Sequence, residues 1–321
     1  MSLDRFRANK SSPDYTYLTL AAILVLFGLV MIASSSVVLS QVADENHTFV
    51  VKQLAWLVIG LIGLTAASRI DYRLWRKYAL PFFIVSFILL IIVFLPGLGK
   101  TAKGAARWIN IGSFQLQPSE ILKLSFILYL SAWLEKTGPK IKDFRSGFLP
   151  FVLLLIPVIV AMSYQRDIGT LAIIVLTAGA MFFVSGTSYP QIGLGLLGGG
   201  LLFLLLTAIE PYRWQRLMTF FNPQAAPLVS GYHITQSLLA IGAGGLWGRG
   251  FGQSLQKYLY LPEPHTDSIF AIIVEELGFF RATVVLVLIG ALAYRGYQIA
   301  GRAGDGFARM TVFGITSWLL F

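Results

Sequence analysis

Long apolar blocks separated by polar segments make up this chain. A helix needs roughly 20 apolar residues to cross a bilayer. Eight blocks qualify, at about 17–39, 49–67, 78–96, 118–134, 147–164, 168–185, 189–209 and 268–294. A ninth starts near Phe307 and reaches Phe321 after about half the necessary length, so the chain reads as stopping inside a membrane segment. The pattern predicts an all-α polytopic membrane protein, with eight transmembrane helices plus a partial ninth in one domain over 1–321. No small-residue cleavage site follows the first block, which therefore reads as a retained helix and not a signal peptide.

Two of the polar segments are long. Segment 97–117 is one, and 210–267 is far longer than an ordinary connection. The second mixes aromatics, prolines and glycines and is not low in complexity, so it reads as folded back onto the membrane surface. The block 189–209 contains Gly193, Gly195, Gly198, Gly199 and Gly200, small residues that permit close helix approach, and it is expected to pack through them. No internal repeat of the kind that builds transporters is visible.

Composition strengthens the membrane reading. Of 321 residues, 56% are apolar and 12% charged, about half the charged share of a soluble domain. There is no cysteine, which excludes a disulfide framework and a thiolate metal site. His47, His233 and His265 are far apart and lack metal-ligand spacing. The net charge of +10 is explained by topology. With the N-terminus in the cytoplasm, segments 1–16, 68–77, 135–146 and 295–309 lie inside, and they are richer in Lys and Arg than the outside segments. No nucleic acid is needed to account for the basic balance.

Ionisable residues inside membrane segments are functional candidates by default. Glu120 and Lys123, three apart, face one side of a helix and suit either a cavity or a structural pair. Pro118 just before them suits a helix's first turn. Asp167, in the short turn Gln165-Arg166-Asp167, reads as a cap of the next helix or as a substrate contact. Glu275 and Glu276 lie about 12 Å into the helix that starts near Ser268, pointing about 100° apart, so that one can face a cavity while the other pairs elsewhere. Arg281 has no acidic partner at i−3 or i−4 and needs one from another helix or a lipid phosphate.

The loop Tyr260–Asp267 is the most informative stretch. It gathers Glu263, His265 and Asp267 at a membrane interface, with Asp267 next to a helix N-terminus. An ordinary N-cap accounts for that placement. A cap also favours the ionised form, and an ionised carboxylate on the outer face is what a general base for a sugar hydroxyl requires. Upstream, Gly242–Gly252 is a weak dinucleotide fingerprint. It reads either as backbone amides that approach a phosphate, with Arg249 and Lys257 supplying charge to a diphosphate, or as a flexible re-entrant turn. Asn46-His47-Thr48 matches a glycosylation sequon by chance.

These residues resemble the FtsW/RodA (SEDS) family. The matching stretches are Gly104–Ile109, Gln117–Lys123, Asp167–Thr170, Gln236–Gly242, Leu261–Asp267, Ile269–Ala271 and Glu275–Gly278, in the family's order over the whole chain. Ser254–Leu261 is more similar to the division member than to the elongation member. The resemblance implies a peptidoglycan glycosyltransferase that polymerises lipid II at the outer face of the bacterial cytoplasmic membrane during division. It implies Asp267 as the catalytic acidic residue and Arg107, Glu120 and Lys123 around a central cavity. Trp108, Asp167, Arg213, Arg249, Lys257, Glu263, His265 and Glu276 complete the candidate substrate contacts. A divalent cation, Mg²⁺ or Mn²⁺, is expected to aid the diphosphate leaving group, with its ligands unassigned and no organic cofactor. The implied partners are lipid II and the nascent strand, both on undecaprenyl diphosphate, a class B penicillin-binding protein transpeptidase and other divisome membrane proteins.

The chain also departs from the family pattern. The family has ten helices, and the part that would carry its late Pro-Thr-Gly and Ser-x-Gly motifs is absent. Lys103, Arg166, Ser268 and Arg281 stand where Asn, Pro, Phe and Gly are common. Two other function classes remain open on sequence. A lipid II flippase would use the same cavity and tolerate loss of Asp267, and a non-catalytic divisome scaffold would tolerate neutral cavity charges.

Overall fold

The computed structural model describes residues 13–42, 48–95, 99–102, 105–111, 114–222, 231–258 and 260–321. Arg5, Arg7, Lys10, the Asn46-His47 pair, Lys103 and Gly104 lie outside the described residues. The chain forms two compact units. The first is Met1–Leu57 with Gln236–Arg295, and the second is Val58–Thr235 with Gly296–Phe321.

The first unit comprises α1 (Tyr15–Val42), the start of α2 (Thr48–Arg69), most of α9 (Tyr232–Gly244) and most of α10 (Ile269–Gly301), and α1, α9 and α10 share a small apolar core. Met31 from α1, Ala240 from α9, Leu261 from the loop and Ile272 from α10 are nearly or fully buried there. Arg295 near the end of α10 pairs with Asp14 just before α1 at 2.9 Å.

The second unit is built on α4 (Pro118–Thr137). Against it pack α3 (Tyr72–Ile92), α6 (Ile168–Val184) and α11 (Gly306–Leu320), while α5 (Leu149–Tyr164) packs on α6 and α3. Leu90, Leu122, Phe126, Leu130, Val158, Met162, Met181 and Met310 form the core. Short polar side chains let the helices come close: the Ser86 and Ser125 hydroxyls sit 2.5 Å apart between α3 and α4. Gly314 on α11 serves the same end, since a Cβ there would meet Ile127 and Met181 at 2.7 Å. Helix starts follow local capping chemistry. The Asp71 carboxylate accepts from the Arg73 amide at 2.9 Å, and the Asp305 carboxylate from the Ala308 amide at 2.7 Å. Pro118 stands in the first turn of α4, where its missing N–H is harmless.

Among the described residues, five helices are long and apolar enough to cross a membrane: Tyr15–Val37, Phe49–Arg69, Tyr72–Ile92, Phe144–Tyr164 and Tyr189–Ala208, and Ile168–Val184 is apolar but shorter. The apolar window of α2 has no buried residue at all. An apolar surface turned outward on that scale suits lipid and not water, so the chain is a multi-pass membrane protein.

Both long polar segments carry secondary structure that hydropathy did not anticipate. Segment 97–117 contains an antiparallel sheet in the order β1 (Gly99–Ala102), β2 (Ala105–Ile111), β3 (Phe114–Leu116). Segment 210–267 contains α8 (Pro211–Phe221) and α9. The glycines of α7 (Tyr189–Ala208) correct the packing expectation. A Cβ on Gly193, Gly198, Gly199 or Gly200 would meet nothing within 4 Å, and on Gly195 only the Phe148 ring at 3.7 Å. Small residues permit close approach, but among the described residues no helix takes it up there.

Candidate active site

The first unit holds the acidic loop and the mechanism that fixes it. α10 is broken at Gly278, whose φ of 83° lies outside the helical range. A break strands backbone groups that a helix would pair. Here the glycine-rich segment pairs them. The amides of Arg249 and Gly250 donate to the carbonyls of Glu275 and Glu276 at 2.9 and 3.0 Å, and those of Phe279 and Phe280 donate to the carbonyls of Gly245 and Leu246 at 2.9 and 3.3 Å. Two backbones this close leave no room for side chains. A Cβ on Gly248 would lie 2.3 Å from the Glu276 carbonyl oxygen, and one on Gly278 would lie 2.3 Å from the Gly248 nitrogen. This corrects the phosphate-cradle expectation for Gly242–Gly252, because the amides of Arg249 and Gly250 are already committed to α10.

Glu275 and Glu276 are both fully buried, and neither faces an open cavity. Buried carboxylates require donors, and each has them. Glu275 accepts from the Ser254 hydroxyl at 2.5 Å, the Leu255 amide at 3.0 Å and Arg249 at 3.4 Å. Glu276 accepts from Lys257 at 3.1 Å and from the Ser34 hydroxyl of α1 at 2.8 Å. The Lys257 ammonium, almost wholly buried, also donates to the Gly252 carbonyl. Lys257 and Glu276, expected as substrate contacts, are turned toward each other and act structurally. Arg249 remains partly exposed beside Glu275. Arg281 finds its partner in the Trp247 carbonyl at 3.1 Å.

From that anchored segment the chain turns into the acidic loop. Glu263 has a φ of 47°, a left-handed conformation that a non-glycine residue rarely adopts. Its carbonyl accepts from the amides of Thr266 and Ser268, both at 3.3 Å. Ser268, whose hydroxyl donates to the Pro262 carbonyl at 2.9 Å, occupies the cap position of α10, and its own carbonyl accepts from Ala271 and Ile272. Asp267 is therefore not the cap. Its carboxylate is exposed, and no described residue hydrogen-bonds or pairs with it. His265, half-buried, lies against Phe49 with ring centroids 4.6 Å apart, and its Nδ1 has no partner among the described residues.

The second unit holds the other candidates. Asp167 caps α6, accepting from the Thr170 amide at 3.4 Å. Its carboxylate also receives Gln117 at 3.4 Å and lies 3.8 Å from the Arg107 guanidinium. Arg107 projects from β2 and donates to the Arg166 carbonyl as well, while Trp108 beside it is half-buried. Arg166 in turn pairs with Glu210 at 3.4 Å. Lys123 pairs with Glu120 at 2.9 Å, as the spacing indicated, and lies 5.0 Å from the Trp318 ring centroid. Lys123 is nearly buried and borders a cavity with room for about one water, while Glu120 is exposed. Arg213 is bound to the Leu206 carbonyl at 2.8 Å. Among the described residues no three His, Asp or Glu side chains converge on one point. The donor set therefore does not fit a cation held by protein ligands alone.

A family model described as cell cycle protein, covering FtsW, RodA and SpoVE, matches residues 14–321. The chain belongs to this family. A probable peptidoglycan glycosyltransferase FtsW of Geobacter sp. (strain M18) is 40% identical over 305 residues, covering 94% of this chain and 83% of that protein. Stage V sporulation protein E of Bacillus subtilis (strain 168) is 39% identical, covering 97% and 85%. A chain of a peptidoglycan synthase complex, solved to explain how polymerization and crosslinking are coordinated, shares the fold with a TM-score of 0.76 at 24% identity, covering 95% and 83%.

For this member of the FtsW/RodA/SpoVE family, sequence reasoning missed the donors that hold the two glutamates. Ser34 stands 242 positions from Glu276. The available signal was the Glu275-Glu276 pair inside an apolar helix, which demands buried donors without saying where they come from. The Arg166–Glu210 pair also went unseen, although Arg166 was noted as a departure from the family pattern.

Proposed function

We propose that this chain is a peptidoglycan glycosyltransferase that polymerises lipid II into β-1,4 glycan strands, with Asp267 as general base. One observation carries the reading. The Asp267 carboxylate is exposed and unpartnered, on a tight turn anchored from behind by the buried Glu275 and Glu276. A group left free at a rigidly held position is what proton abstraction from a substrate needs. Relatives about 40% identical that are named peptidoglycan glycosyltransferases support the assignment.

The acceptor is lipid II, through its GlcNAc 4-hydroxyl, and the donor is the growing strand on undecaprenyl diphosphate. The hydroxyl oxygen attacks the anomeric carbon while an Asp267 Oδ takes its proton. The new C–O bond forms opposite the leaving group, the bond to diphosphate breaks, and the α-linkage becomes β. The diphosphate departs with the electron pair, and a cation offsets its charge. Arg249, partly exposed beside Glu275 in the same unit as Asp267, is the proposed cation. Glu263 and His265 are the proposed sugar and peptide contacts.

The whole chain serves as one membrane domain of the bacterial cytoplasmic membrane, N-terminus inside and the acidic loop outside, in line with the Lys and Arg bias. It works in septal wall synthesis beside a class B penicillin-binding protein and other divisome proteins.

The test is Asp267→Asn, which keeps the shape and removes the base. Glycan made from purified lipid II should fall about 10²–10⁴-fold with the melting temperature unchanged. A normal rate refutes the assignment. Normal lipid II movement across liposomes by a chain that makes no glycan in any form would favour a flippase instead.

A further inference from the structure

Helix α8 begins three positions after the end of the spanning helix α7, and its side chains are segregated except for Phe220, which stands 70% exposed at i+4 from Arg216. Trp214, Leu217, Met218 and Phe221 recur at i, i+3, i+4 and i+7 and form one apolar arc. Tyr212, Gln215, Arg216 and Thr219 recur at the same spacing and form the opposite arc. Thr219 is the only buried residue of α8. Trp214, Met218 and Phe221 are 45%, 44% and 74% exposed, and Gln215 and Arg216 are exposed as well. The helix thus shows both an apolar and a polar arc to its surroundings. Water suits only the second arc and lipid tails only the first, so the setting that suits both is the boundary between them.

The depth of α8 is set by two ties within the second unit. Glu210, just before its first residue, pairs with Arg166 in the α5–α6 turn, on the side of the membrane where α7 ends. The Arg213 guanidinium binds the Leu206 carbonyl in the last turn of α7. Both hold α8 at the end of a membrane span, with little freedom to rise into solvent.

We propose that α8 is an interfacial helix lying in the plane of the bilayer surface. It buries Trp214, Met218 and Phe221 among the acyl chains and turns Gln215 and Arg216 to the headgroups, where Arg216 meets lipid phosphate. The partner is the phospholipid surface itself, and the consequence is that the segment following α7 starts from a fixed height. The inference does not depend on the glycosyltransferase reading.

The chain contains no cysteine, so single-cysteine variants can be spin-labelled without background. Tyr212→Cys, Trp214→Cys, Gln215→Cys and Met218→Cys, in nanodiscs of phosphatidylethanolamine and phosphatidylglycerol, are compared by collision with oxygen and with a water-soluble nickel complex. Leu201→Cys on the exposed face of α7 is the lipid control. The expected result is an oxygen-to-nickel ratio several-fold higher at 214 and 218 than at 212 and 215, approaching that of 201. Equal nickel access at all four positions overturns the proposal by placing α8 in water, and equal oxygen access overturns it by immersing the helix. Protection of 214 and 218 from both reagents also overturns it, because protein would then cover the arc. Labelled variants that elute and melt like the parent exclude misfolding as the cause.

Discussion

Replacing Lys257 by Met should destabilise the first unit more than removing Lys257 and Glu276 together. Glu276 is fully buried, with its Oε1 3.1 Å from the Lys257 ammonium. Lys257→Met alone leaves a carboxylate in the interior with, among the described residues, the neutral Ser34 hydroxyl as its remaining side-chain donor. Breaking a buried pair in this way costs about 3–5 kcal/mol, a large part of an ordinary domain's stability. In the double variant Lys257→Met, Glu276→Leu no charge is stranded, and what is lost is the bonding of Ser34 and of the Gly252 carbonyl, about 1–3 kcal/mol. The double variant should therefore be more stable than Lys257→Met by about 2 kcal/mol, and because Glu276→Leu strands the ammonium in turn, the coupling of the two sites should exceed that difference. Titration of the detergent-solubilised parent, both single variants and the double variant with SDS, followed by fluorescence, closes the cycle. A coupling below about 0.5 kcal/mol would mean that the pair is solvated and does not anchor the loop, and the account of how Asp267 is held would fail with it.

Gly248→Ala should lose about 1–3 kcal/mol in the same titration, because its Cβ would press on backbone at 2.3 Å and its φ is 83°. Gly242→Ala, in α9 with nothing within 4 Å, should instead gain about 0.5–1 kcal/mol. A similar loss at both positions would contradict the close-packing argument. Asp305 lies between α10 and α11. Burial pushes its carboxyl up, but the Ala308 amide, the Tyr72 hydroxyl and the arginines Arg76 and Arg73 together hold it below its ordinary 3.8. Its folded value being the lower one, it contributes stability above the unfolded value and loses it as pH falls through the folded one. Asp305→Asn should therefore melt lower than the parent at neutral pH, and the gap should close as pH falls below about 4. A gap constant with pH would show that the charge is irrelevant.

Much of the candidate site was readable before folding was considered. The Glu120–Lys123 pair followed from a spacing of three on a helix, and the Asp167 cap followed from residue type and a short turn. Both depend on neighbours within one turn of chain. Asp267 at the start of α10 was also legible, but the cap was assigned one residue too early, because Ser268 closes onto the Pro262 carbonyl and leaves Asp267 outside. Lys257 and Glu276 were misread as substrate contacts because a charge in an apolar helix announces only that it needs a partner. Whether that partner is a ligand or a serine from α1 is a question of which distant segments meet.

Spans and sheet divide along the same line. Each apolar block answers to lipid residue by residue, so hydropathy located the five long apolar helices, of the eight blocks it marked, without knowledge of their neighbours. The break at Gly278 is different in kind. It exists only because Gly245–Gly250 reaches α10 and pairs the four backbone groups the break leaves open. Gly198 of α7 and Gly248 of the loop are alike as residues, yet a Cβ on the first would meet open space and one on the second would meet backbone. Composition can permit a close approach, but three-dimensional packing determines where one occurs, since contact energy depends on which surfaces arrive and not on which could.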